Sequence, residues 1–208
     1  MKQGYMPKAK SQEWETPQKL FDRLNKVFHF TVDLACTEEN AKCNMYITKQ
    51  ENHCDNNKSN IGWLNPPYGS DLTDWVRHAF HQVYIIKSIK AIIMLIPSST
   101  EIKAWTRHIW CFAEYVIFLN KRVKFEINGK SVGSSTKGSA IVVFSQDDIP
   151  DIYSLSDLGF VIDLEVQRRL QAGEEFHKAT GYEVGDIPVD DYIECGLIPA
   201  PEIKEIVK

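Results

Sequence analysis

Apolar positions along this chain change period several times, and each change marks an element. Leu20, Phe21, Leu24, Val27 and Phe28 recur at helical spacing. Thr16-Pro17 precedes them, with Thr16 in the N-cap position and Pro17 at the first helical position. Phe30 to Ala35 reads as a strand ending in the carboxylate of Asp33. Residues 36–60 are polar and weakly patterned, with a short strand possible at Met45 to Thr48. The run Ile61-Gly62-Trp63-Leu64 predicts a strand that opens into Asn65-Pro66-Pro67-Tyr68. Leu72, Trp75, Val76, Ala79, Phe80, Val83 and Tyr84 predict a helix over 71–88. Ala91 to Ile96 is a continuous apolar run of the kind buried on both faces of a parallel sheet. Ile102, Trp105, Ile109 and Phe112 predict another helix, and residues 114–119 another strand. Val123 to Ile127 and Ala140 to Phe144 are expected to pair around the turn-rich segment 128–138, and a last helix is expected over 163–178.

Strands alternating with helices predict an α/β sandwich with a mostly parallel sheet. The 123–144 hairpin would add antiparallel strands at its edge. Residues 1–12 are polar and basic and read as a mobile arm. No repeat or low-complexity block is present.

Composition narrows the class without naming a function. The 208 residues suit one domain with a small appendage. No apolar run approaches a membrane span, and Met1 to Tyr5 lacks the apolar core of a leader. A cytoplasmic protein is therefore the expectation. Five cysteines, none in a CxxC pair, indicate neither a zinc site nor a disulfide framework. The net charge of −4 does not advertise a nucleic-acid binder. Basic residues nevertheless cluster at Lys121-Arg122-Val123-Lys124, while acidic ones crowd the C-terminal third. That basic cluster is either a charged sheet edge or a set of phosphate contacts.

Asn65-Pro66-Pro67-Tyr68 is the most informative stretch. Two consecutive prolines fix φ and supply no amide N–H, and each biases the residue before it toward extended backbone. The product is a stiff hook with an amide at one end and an aromatic ring at the other. The Asn65 side-chain oxygen and the Pro66 carbonyl can both accept hydrogen bonds from a planar amino group, and Tyr68 can stack on the attached ring. A proline-stiffened turn with Tyr68 in the core is the plainer alternative. The place after a buried-type strand favours a site, because ligands of open α/β sheets bind outside the carboxyl ends of strands. Asp33, at another strand end, suits an ammonium group or a ribose hydroxyl, or else caps a loop. Trp14 either joins the core or packs on a ligand. Asn40 either caps a turn or binds a ligand.

In order and spacing these pieces resemble the phage-type DNA adenine-N6 methyltransferases. The resemblance runs over roughly residues 13–145. It takes in Glu13-Trp14-Glu15-Thr16-Pro17, the segment Phe28 to Ala35, and Glu39 to Cys43. It continues through Trp63 to Tyr68, Leu95-Ile96-Pro97, Arg122-Val123-Lys124-Phe125 and Ser139 to Phe144. It implies a Rossmann-like class I methyltransferase sheet in a catalytic domain of residues 13–150, with 151–208 as a helical extension packed on it. It implies S-adenosylmethionine as cofactor, no metal, and double-stranded DNA as partner, in the cytoplasm of a bacterial host. Asn65, Pro66, Pro67 and Tyr68 would form the catalytic motif. Trp14, Thr16, Pro17, Asp33, Leu34, Ala35, Asn40 and Asn65 would hold the cofactor, and Lys121, Arg122 and Lys124 the DNA. One departure stands out: no glycine lies between Tyr5 and Ile61, so the glycine-rich turn usual in methyltransferases is missing, and Ala35-Cys36 would serve instead. The same loop also resembles that of enzymes methylating protein glutamine or RNA bases. Cytosine N4 remains an alternative acceptor, and a catalytically silent binding module an alternative class.

Overall fold

The computed structural model describes residues 14–48, 57–69, 71–127, 129–149 and 151–171. The basic arm at 1–12 and the tail after 171 lie outside them. Two compact units divide the chain at Leu164/Glu165. In the second, the described residues 165–171 are helical, as part of a helix over Leu164–Gln171. The predicted helix over 163–178 is thus present to residue 171, and its remainder falls outside the described residues.

The first unit is built on a seven-stranded sheet. In chain order its strands are β1 (Val32–Asp33), β2 (Met45–Tyr46), β3 (Ile61–Leu64), β4 (Ala91–Pro97), β5 (Tyr115–Leu119), β8 (Ser139–Ser145) and β9 (Gly159–Asp163). Between β5 and β8 the chain makes a separate two-stranded ribbon, β6 (Lys124–Ile127) with β7 (Lys130–Ser134). Gly129 turns the ribbon with φ at 69°, a conformation costly for any residue with a Cβ. The sheet order is β2-β1-β3-β4-β8-β5-β9. Strands β2, β1, β3 and β4 pair in parallel, whereas β8 runs antiparallel to both β4 and β5, and β9 antiparallel to β5.

Helices cover both faces. One face packs against α2 (Leu72–Phe80), its π-helical continuation His81–Ile85, and a second π-helical segment, Trp105–Ile109, that leads into α3 (Trp110–Phe112). The other packs against α1 (Gln18–Phe28) and a 3-10 turn at Ile152–Asp157. Alternation along β4 sends Ile92, Met94 and Ile96 to the first face and Ile93 and Leu95 to the second. That two-sided burial is why β4 reads as an unbroken apolar run.

Three expectations need correction. The antiparallel strands do not form an edge hairpin of 123–127 with 140–144. Strand β8 is inserted between β4 and β5, and all seven of its residues are buried. Its continuous apolar sequence is what a central strand requires, and β6 finds its partner in β7 instead. Thr16 does not cap α1. Pro17 is the N-cap, with extended ψ of 132°, and its carbonyl accepts the amides of Leu20 and Phe21 at 3.0 and 3.1 Å. Shifted one residue upstream, the Thr16 hydroxyl turns inward and finds no partner. Finally, the segment after residue 150 is not helical throughout, since β9 supplies the last strand of the sheet.

Candidate active site

Strand β1 sends the chain to β2 on one side, while β3, on its other side, leads on to β4. The strand order therefore reverses between β1 and β3, and a crevice opens at their carboxyl ends at such a point. Asp33 ends β1 and Asn65 follows the last residue of β3. The two residues singled out by pattern thus flank the point where the strand order reverses.

Asn65 is held from its nitrogen end. Its Nδ2 donates to the Trp14 carbonyl at 2.7 Å, which fixes the amide rotamer and leaves Oδ1 as the acceptor. Tyr68 is half-buried, and its hydroxyl donates to the Leu95 carbonyl at 3.1 Å. Burial pushes its phenol well above the ordinary range, so it stays protonated. The ring makes edge contacts with Trp14 (centroids 5.9 Å) and Phe125 (5.7 Å), and Trp14 stacks on Phe125 at 5.1 Å. Tyr68 is thus tied to the core through its hydroxyl, while the residue as a whole is half-buried.

Residues 14–16 form a strap across the site. Glu15 and Glu126 exchange both backbone hydrogen bonds, at 2.9 and 3.0 Å, and the Glu15 carboxylate accepts the Gly129 amide at 3.3 Å. The strap thus adds one antiparallel pair to the outer side of β6. The site depends on the ribbon through this contact.

Asp33 is buried, 3% exposed. Its Oδ1 accepts the Ala35 amide at 3.3 Å and its Oδ2 the Lys42 amide at 3.0 Å. Burial raises its pKa, and the two amide hydrogen bonds oppose that rise without cancelling it. Those bonds also show how the loop after β1 closes without glycine. Among the described residues the positive-φ positions are His29, Lys87, Gly129 and Gly133, none of them in that loop. The carboxylate gathers the loop, and no left-handed residue is needed. The close approach falls on β3 instead, where a Cβ on Gly62 would lie 2.5 Å from Leu34 Cδ1. Asn40 braces the same loop, its Oδ1 accepting the Thr37 amide at 2.8 Å.

Cys36 and Cys43 flank Asp33, and burial first, then the Asp33 charge, pushes both thiols up to about 12. Neither offers a thiolate at neutral pH. The chemistry available is positional: two hydrogen-bond acceptors on a stiff loop, a buried carboxylate and an aromatic platform.

Thr16 is 2% exposed, and its hydroxyl is one of two buried side-chain polar atoms without a partner among the described residues. An unpaired buried hydroxyl costs about 1–3 kcal/mol, a cost that a ligand can relieve. The other such atom is Ser139 Oγ. Lys121 and Lys124 are exposed. Arg122 is partly committed: its Nη1 donates to the carbonyls of Ser135 at 3.1 Å and Thr136 at 2.5 Å, closing the loop after β7.

Pattern reading overlooked Phe125 as a support beneath the site and Ser139 as a buried unpaired polar group. Phe125, 1% exposed, is the hidden support under Trp14 and Tyr68, and its signal was an aromatic beside a basic cluster. Ser139 carried a weaker one, a polar residue heading a long apolar strand.

A family model described as DNA N-6-adenine-methyltransferase (Dam) matches residues 3–158, well over half of the chain. No individually curated protein matches it.

Proposed function

The chain belongs to the DNA N-6-adenine-methyltransferase family and is a DNA adenine methyltransferase; from that premise we propose that Asn65 to Tyr68 hold the N6 amino group of an adenine flipped out of double-stranded DNA, for methylation from S-adenosylmethionine on a Rossmann-like class I sheet. The observation that carries this reading is the Asn65 amide, anchored through Nδ2 to the Trp14 carbonyl beside the strand-order reversal.

Bound S-adenosylmethionine supplies an electrophilic methyl group on a sulfonium centre. The residues fit such a cofactor. The Thr16 hydroxyl is buried and lacks a partner, and the Asp33 oxygens keep accepting capacity beyond the two amides they hold. Asp33 and Thr16 would take the polar groups of the methionyl or ribose part. Trp14, Pro17, Leu34 and Ala35 would line it, with Asn40 bracing the loop.

The adenine amino nitrogen is a poor nucleophile, because its lone pair is delocalised into the ring. Asn65 Oδ1 and the Pro66 carbonyl accept its two N–H hydrogens and favour a more pyramidal nitrogen. The lone pair is then directed out of the ring plane, and the proton lost after methyl transfer passes to water. Orientation and preorganised dipoles carry the rate. Flipping the base costs a few kcal/mol, which stacking on Tyr68 offsets by about 1–3 kcal/mol. Lys121 and Lys124, with what remains of Arg122, meet the phosphates.

Incubation with unmethylated duplex DNA and methyl-labelled S-adenosylmethionine, digestion to nucleosides and mass spectrometry should place the label in 6-methyladenine. Label in 4-methylcytosine would overturn the acceptor. Asn65→Ala should retain cofactor binding and lose about 10²–10³-fold in turnover, the scale of a lost preorganised polar contact. Full turnover in that variant would remove the loop from the mechanism.

A further inference from the structure

We propose that the Ser139 hydroxyl binds the flipped nucleotide, through a ring-nitrogen acceptor of the adenine remote from the amino group. The proposal rests on the reading of Asn65 and Tyr68 given above and extends the base site two strands further along the sheet.

Ser139 heads β8 and is 2% exposed, yet its Oγ has no hydrogen-bond partner among the described residues. Ser139 lies opposite Pro97 at the end of β4, and proline has no amide N–H to offer. The next amide along, Ser98, donates instead to the Gly138 carbonyl at 3.0 Å. A hydroxyl in a sheet core with no partner is a standing cost, and alanine would avoid it at almost the same volume. Such a group makes sense where a ligand completes it.

The topology says which ligand. Along the carboxyl edge of the sheet the order is Asp33 on β1, Asn65 after β3, Pro97 on β4, then Ser139 on β8. Neighbouring strands lie about 4.8 Å apart, which puts Ser139 roughly 10 Å from the strand of Asn65, on the side away from Asp33. By strand alternation Ser139 shares a face with Ile141 and Val143, the face that Tyr68, Phe125 and Trp14 pack against. Tyr68 bridges the interval, since its hydroxyl reaches Leu95, opposite Ile141 and one pleat from Ser139. In-line methyl transfer aligns the amino nitrogen, the methyl carbon and the sulfonium sulfur, so the donor and the purine ring take different parts of the crevice. With Asp33 and Thr16 on the donor side, the ring extends over Tyr68 toward Ser139.

The test is Ser139→Ala, which removes one oxygen and no packing carbon. Three quantities are measured beside the wild type: kcat/KM for DNA, the Kd for S-adenosylmethionine by calorimetry, and the thermal midpoint without ligands. We expect kcat/KM to fall about tenfold, cofactor affinity to stay unchanged, and the midpoint to stay level or rise because the orphaned hydroxyl is gone. A lowered midpoint would mark the hydroxyl as structural, and weakened cofactor binding would assign it to the donor side. Either result overturns the proposal, as does an unchanged kcat/KM. A wild type that forms no 6-methyladenine would sink the adenine reading itself and this proposal with it. An active wild type with an indifferent variant would sink only the role of Ser139.

Discussion

Asp33 holds a carboxylate inside the protein, and its folded-state pKa lies above the ordinary 3.8 because burial outweighs the Ala35 and Lys42 amides. The sign of the linkage follows. A raised pKa means that the folded chain binds the proton more tightly than the unfolded chain. The contribution of Asp33 to stability is therefore complete below pH 3.8 and is lost as pH rises through the raised folded value. Urea unfolding of wild type and Asp33→Asn should show their difference moving against the wild type as pH climbs from 3.8. A constant difference would mean that the amides balance burial, and a difference moving toward the wild type would mean that they win over it. An ammonium group seated at Asp33 would draw the proton off, so cofactor affinity should strengthen across the same interval. The position of Asp33 at a strand end was legible in the sequence. Its two amide donors were not, because Ala35 and Lys42 lie in a loop without period. The Trp14 carbonyl that orients Asn65 was hidden for a deeper reason: every residue has a carbonyl, and nothing in a side-chain pattern distinguishes one from another.

At the scale of elements, the strap and the ribbon act as one part. The Glu126 amide points away from β7 and donates to the Glu15 carbonyl at 3.0 Å. Proline at 126 would delete that bond and leave the β6–β7 ladder its own, as edge positions allow. The loss to the fold should be about 1 kcal/mol, while the Asn65 amide loses a fixed anchor. We expect Glu126→Pro to lower kcat roughly tenfold with little change in thermal midpoint; an unaltered kcat would show that Asn65 keeps its rotamer without the strap. The helices of this fold were legible because α1 and α2 each bury one periodic stripe. The ribbon was not. Lys130–Ser134 has neither alternation nor an apolar run, and its pairing follows from the turn at Gly129 and a register shift between Lys124 and Glu126. The two strong apolar segments, 123–127 and 140–144, looked like partners because nothing in either one reveals that a long-range neighbour will claim the second.

Across the whole molecule, the α/β class and the placing of the Asn65 loop at a strand end were readable, and the strand order was not. Period and run length describe one segment at a time, whereas order is settled by which edges remain open when segments meet. The site as proposed draws on both ends of the matched region, with Thr16 near the start and Ser139 near the end, while Asn65 lies between them in sequence. Among the described residues no helix is long and apolar enough to cross a membrane.

The place of β8 has a consequence for synthesis. Strand β4 leaves the ribosome with six of its seven residues destined for burial, but the partner for its outer edge comes only after β5, β6 and β7. At roughly 5–20 residues per second, that apolar edge waits several seconds with its backbone unpaired, an open template for another chain. A polypeptide released at residue 138 would carry the exposed edge permanently. It should aggregate on centrifugation where the full chain stays in solution, and a soluble, monomeric fragment would refute the expectation. The nascent chain, more than the finished fold, is then where this sheet is open to wrong partners.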